Sequence, residues 1–235
     1  NMKYTNTHLS MVNPYSLKAR VYPLGIVLLP IIVLGFSISF EFDTIYSSLS
    51  SIGIVSLFTY LFSQLGRDLG KRKEKSLWKS WGGPPTSLIM LDQNYIDPIT
   101  QQRYIEKLEK ICPSNDNFET EEKIKFWTKF LISKTRDTQK FNLLFKENIS
   151  YGFRRNLLGL KPIGLTIVIA ISALNLILTT NWPITYNELS VNWVVSNFFL
   201  VLLLLFWVLI VTANWVKIPA FSYAERLFES IENIK

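Results

Sequence analysis

One cysteine, Cys112, and one histidine, His8, are the only thiol and the only imidazole among 235 residues. No disulfide can close within the chain, and no zinc site of Cys and His ligands can be assembled. Charge is missing from long tracts as well. Val21 to Phe40, Leu49 to Leu65, Ile163 to Leu178 and Trp193 to Val216 contain no Asp, Glu, Lys, Arg or His. Their polar residues are uncharged Ser, Thr, Asn and Gln, so the ionisable group that pumps and ion-coupled transporters bury at depth is lacking and active transport is disfavoured. Catalytic pairings are lacking too. Glu106 with Glu109, and Glu121 with Glu122, sit among lysines and read as solvated helix faces, so no catalytic residue, cofactor or metal is assigned and the chain is expected not to be an enzyme.

What is present is hydrocarbon. A helix needs roughly 20 apolar residues to cross about 30 Å of bilayer core, and each of the four tracts meets or approaches that length. Backbone amides in lipid must be satisfied within their own segment, so the tracts are expected to be helices, four short lengths being unable to close a strand barrel. The first exceeds a signal peptide's apolar region and is followed by no small-residue cleavage signature, so it is expected to be a retained anchor.

Lys and Arg near span ends are held on the cytoplasmic side, which sets the orientation. Lys3, Lys18 and Arg20 precede the first tract, a basic run follows the second, and Lys146, Arg154, Arg155 and Lys161 precede the third. Glu41 and Asp43 occupy one short connection and Glu188 the other, without any Lys or Arg. The expected architecture is an all-α, multi-pass cell (inner) membrane protein with both termini cytoplasmic. It consists of an N-terminal tail over 1–20, a transmembrane hairpin over 21–66, a helical cytosolic domain over 67–162, a second hairpin over 163–216 and a C-terminal helix over 217–235. Two motifs echo one another: Tyr22-Pro23-Leu24-Gly25-Ile26 opens the first span and Lys161-Pro162-Ile163-Gly164-Leu165 the third. Either a duplicated hairpin or helix-entry chemistry, which tolerates proline in the first turn, accounts for the pair.

Within the middle segment, strong helix formers extend the second span through Arg67 to Trp78 until Trp81-Gly82-Gly83-Pro84-Pro85 stops it. Asp97-Pro98 has the form of a cap followed by proline at the first helical position, and the helix it opens runs to Pro113. A second amphipathic run, between Glu119 and Lys134, places Ile124, Trp127 and Leu131 on one face. A third places Phe141, Leu144, Phe145 and Ile149 together and feeds the third span.

Arg67, Lys71, Arg72, Lys73 and Lys75, with Arg154 and Arg155 at the mirror position, form a basic ring just inside the membrane. Such charges anchor topology, and they also suit a phosphate-bearing lipid or messenger, or a protein partner. Direct nucleic-acid binding is disfavoured. Inside the membrane, Asn175, Asn197 and Asn214 either bond between helices or line an aqueous path if several copies assemble as a homo-oligomer, since four spans alone leave no room for a pore.

The segments Gly66 to Thr86 (GRDLGKRKEKSLWKSWGGPPT), Tyr151 to Pro162 (YGFRRNLLGLKP) and Ala220 to Glu225 (AFSYAE) resemble parts of a family of small prokaryotic multispan membrane proteins associated with defence against phage. The resemblance implies an effector that oligomerises and compromises the membrane after a cytosolic partner or messenger engages the helical domain. It carries no catalytic residues. A non-catalytic scaffold that recruits a cytosolic enzyme, and a lipid-modifying enzyme, are the alternatives.

Overall fold

The computed structural model describes residues 14–38, 52–114, 119–179 and 191–234, and every regular element among them is helical. The acidic connections holding Glu41, Asp43 and Glu188, and the loop Asn115-Asp116-Asn117, lie outside the described residues. In chain order the helices are α1 (Pro14–Ser37), α2 (Ile52–Trp81), α3 (Pro85–Leu91), α4 (Pro98–Ile111), α5 (Thr120–Lys134), α6 (Asn142–Thr179), α7 (Val191–Ile210) and α8 (Ala213–Glu229). The chain divides into two compact units, Asn1–Lys71 with Phe153–Thr212, and Arg72–Gly152 with Ala213–Lys235.

In the first unit, α1, α6 and α7 are long and apolar enough to cross a membrane, which makes three such helices among the described residues. The tract Leu49 to Leu65 is helical from Ile52 onward and continues without a break into the basic run, as expected. The fourth tract is shorter than its apolar length suggests. α7 ends in a π-turn over Phe206–Ile210, and the chain breaks at Val211 before α8 begins. Asn214 therefore falls in the next helix and outside α7. Side chains such as Ile177 and Leu209, 74% and 64% exposed, cover the outside of this unit. A surface of that kind is stable against lipid tails and costly against water.

The two proline motifs differ in setting. Pro23 opens the α-helical part of α1 after a π-turn over Leu17–Val21, whereas Pro162 lies deep inside the 38-residue α6. Helix-entry chemistry accounts for the first proline only. Gly25 faces open space, while a Cβ on Gly164 would sit 2.3 Å from the Trp207 ring, so the echo does not extend to what the glycines do.

The second unit is a helical domain around one core. Ile124, Trp127 and Leu131 of α5 are buried against Tyr104 and Leu108 of α4, Ile89 and Met90 of α3, and Leu227, Phe228 and Ile231 at the C-terminal end. Each such side chain contributes about 1.5–3 kcal/mol by leaving water. The C-terminal helix thus starts at Ala213 and is part of this core, where a separate helix over 217–235 was expected. Gly82, at φ +93°, ends α2 because its backbone takes the left-handed form that only glycine adopts without strain. The Gly83 N–H then donates to the Trp78 carbonyl at 2.8 Å. Asp97 caps α4 by accepting from the Thr100 N–H at 2.9 Å, with Pro98 in the first turn.

Candidate functional site

Three helices of the first unit meet at Asn156. Pro23 has no N–H to close an α-helical bond onto the carbonyl four residues earlier, which is that of Ala19. The buried Asn156 side chain donates its Nδ2 to that carbonyl at 2.7 Å, fastening α6 to α1. On its other side, α6 touches α2 backbone to backbone. A Cβ on Gly159 would lie 2.4 Å from the Gly70 nitrogen, and one on Gly70 would lie 2.5 Å from Asn156 Oδ1. Gly66 and Gly70 stand four residues apart, the small-residue spacing that lets membrane helices approach closely.

Charge collects around this node. Lys18 and Arg20 flank Ala19, Lys71 follows Gly70, Arg67 follows Gly66, and Arg154 and Arg155 precede Asn156. Asp68, exposed, is the sole acidic residue among the described residues of this unit. Lys18 and Lys71 are exposed and Arg20, Arg67 and Arg154 half-buried. Arg20 stacks on Tyr15 at 5.6 Å, and Arg67 reaches Gln64 Oε1 at 3.5 Å. Arg155 is buried, with its guanidinium 3.3 Å from Asn156 Oδ1. Lys161 has another role: its Nζ donates to the Val211 carbonyl at 2.8 Å, placing a cation on the carbonyl end of α7 where the helix dipole favours it.

Of the expected basic ring, Arg67, Lys71, Arg154 and Arg155 belong to this node. Arg72, Lys73 and Lys75 are exposed residues of the second unit. There Glu74, the acid within the run, accepts from the Tyr151 hydroxyl at 2.6 Å and is half-buried. Sequence reasoning missed Asn156 as the organising residue and did not place Lys18 and Arg20 with the ring. The signal was the proline four residues after Ala19.

The three asparagines do not share one environment. Asn175 is fully buried in the first unit, Asn197 is half-buried and donates to the Trp193 carbonyl of its own helix at 2.9 Å, and Asn214 is exposed in the second unit. Ser196, also buried, reaches the Val33 carbonyl of α1 at 3.5 Å. Beside it an apolar groove of about 500 Å³ opens between α1 and α7, lined by Leu29, Ile32, Phe36, Val195 and Phe199.

The second unit carries a polar cleft of about 340 Å³ between Tyr95, Thr100, Arg103, Tyr104, Arg226 and Glu229. Arg103 pairs with Glu232 at 3.2 Å, and Arg226 is bonded to Glu229, which raises the arginine's pKa further. Burial, with Glu229 nearby, pushes the Tyr104 phenol up. Among the described residues no group of three Cys, His, Asp or Glu side chains gathers as a metal site.

Comparison with known proteins finds no matching family model, no matching curated protein and no matching solved structure.

Proposed function

We propose that this chain is an effector of bacterial defence against phage in the cell membrane. In this reading Leu49 to Leu65 is a fourth span beside the three apolar helices, and the helical domain and both termini are cytoplasmic. A cytosolic protein or a nucleotide-type messenger engages the helical domain, and the spans of a homo-oligomer then perturb the bilayer. The observation that carries the reading is continuity: α2 and α6 each supply an unbroken helix to both compact units. A rigid helix transmits displacement better than a loop, because its backbone bonds resist bending. The resemblance of the segments bearing these helices to defence membrane proteins supplies the direction, and the polar cleft of the second unit offers a place for the trigger.

Ile99, 83% exposed, and Leu143, 61% exposed, favour a second reading in which the domain docks a soluble enzyme and the spans are only an anchor. A lipid-modifying enzyme ranks below both. Expression in a bacterium carrying a potential-sensitive dye separates the first two. Depolarisation during phage infection supports the effector, and normal potential with co-purification of a soluble enzyme supports the scaffold.

A further inference from the structure

We infer that the Asn156 node is a binding site for the phosphate of an anionic phospholipid in the cytoplasmic leaflet. The inference rests on the membrane reading but does not require defence activity. Positive flanks on each span would satisfy the topology rule wherever they stood around the bundle. Here they are brought to one place by two specific devices. The Asn156 bond to the Ala19 carbonyl carries Lys18 and Arg20 to α6, and the Gly70–Gly159 contact carries Arg67 and Lys71 to the same helix. Each of these four cations is within three residues of a contact atom, so α1 and α2 each bring two cations to the stretch of backbone that packs on one turn of α6. Convergence of like charge costs free energy through mutual repulsion. An anion at the node offsets that cost, and the neighbouring apolar surface of α1, with Leu28 and Leu29 exposed, suits an acyl chain. A phosphodiester provides both in one molecule. Arg20 and Arg67 supply planar donors for its oxygens, and Lys18 and Lys71 supply mobile point charges.

The test uses the full chain purified in a neutral detergent. Lipid retention is read by native mass spectrometry with phosphatidylglycerol, phosphatidylcholine or inorganic phosphate added. The expected result is retention of phosphatidylglycerol over phosphatidylcholine. A double variant, Lys18→Gln with Lys71→Gln, should lower that retention roughly 25-fold, about 5-fold for each exposed lysine near a lipid surface. Because both lysines are exposed and repel their neighbours, their loss should not lower the thermal unfolding temperature in detergent alone. A second pair, Lys125→Gln with Lys129→Gln on α5, should retain the lipid as the parent does. Equal retention of both lipids by the parent, or equal loss in the two double variants, overturns the site. Displacement of phosphatidylglycerol by millimolar inorganic phosphate overturns the assignment to a lipid. Failure of the chain to float with membranes would instead sink the membrane reading itself, and that outcome is read separately by flotation.

Discussion

The backbones of Gly70 and Gly159 are in contact, with a methyl group on Gly159 falling 2.4 Å from the Gly70 nitrogen. No rotamer can relieve that clash, since the obstructing atoms are main chain. Gly159→Ala is expected to destabilise the first unit by about 1–3 kcal/mol, the usual cost of forcing volume into a close-packed contact. Gly25→Ala is the control. Its Cβ meets nothing within 4 Å, so alanine there should be neutral or stabilise by up to about 1 kcal/mol. Thermal unfolding in detergent distinguishes the two, and equal effects would refute the crossing.

The Ala19 carbonyl that accepts from Asn156 is the one an α-helical N–H at position 23 would reach, and Pro23 has no N–H to offer it. Asn156→Ala should therefore cost about 1–3 kcal/mol for the orphaned acceptor, together with lost packing. Pro23→Ala restores a backbone N–H and should recover part of that loss, so the two changes are expected to be non-additive. Asn197→Ala removes only a bond within its own helix and should cost less. Strict additivity of Pro23→Ala and Asn156→Ala in unfolding experiments would show that the acceptor is not shared.

Acid should loosen the second unit. Asp97 is held below its usual pKa of 3.8 by the Thr100 N–H, Asp137 by the N–H groups of Lys140 and Gln139, and Glu109 below 4.5 by the Ser114 hydroxyl and N–H. A carboxylate whose folded pKa is depressed contributes stability that is complete above its unfolded pKa and is lost as pH falls through the folded value. The loss should thus begin near pH 4 and continue below it. Asp97→Asn with Asp137→Asn keeps both caps while removing two titrations. Far-ultraviolet circular dichroism should show a shallower acid transition for that double variant, and an unaltered transition would exclude these caps as the cause.

Burial pushes the Cys112 thiol up, with Glu109 adding to the shift, so at neutral pH little of it is thiolate and a maleimide should label it slowly. Labelling should quicken as pH rises. In a Cys112→Ser background, Asn187→Cys is expected to react with an impermeant thiol reagent in whole cells and Asn115→Cys only after the cells are opened. The reverse pattern would invert the orientation.

Much of the helical domain was legible because its signals are local. Ile124, Trp127 and Leu131 recur at helical spacing and are the buried face of α5, Asp97-Pro98 is a cap and first turn, and Gly82-Gly83 ends α2. Short α3 was missed, since seven residues between a breaker and Asp92 are too few to show a period. The end of α7 was also misplaced, because hydropathy does not register a backbone break inside an apolar tract.

By itself the amino-acid order determined which tracts are apolar, where charge is permitted and where helices with a local cap or breaker, such as Asp97-Pro98 and Gly82-Gly83, start and stop, since those properties depend on neighbours a few positions away. Only the tertiary structure decided that Asn156 reaches Ala19 across 137 positions, that Gly70 meets Gly159, that Lys161 serves the end of α7 and that Glu74 turns to Tyr151. Such pairings depend on which faces of distant helices come together, and no local period encodes that choice.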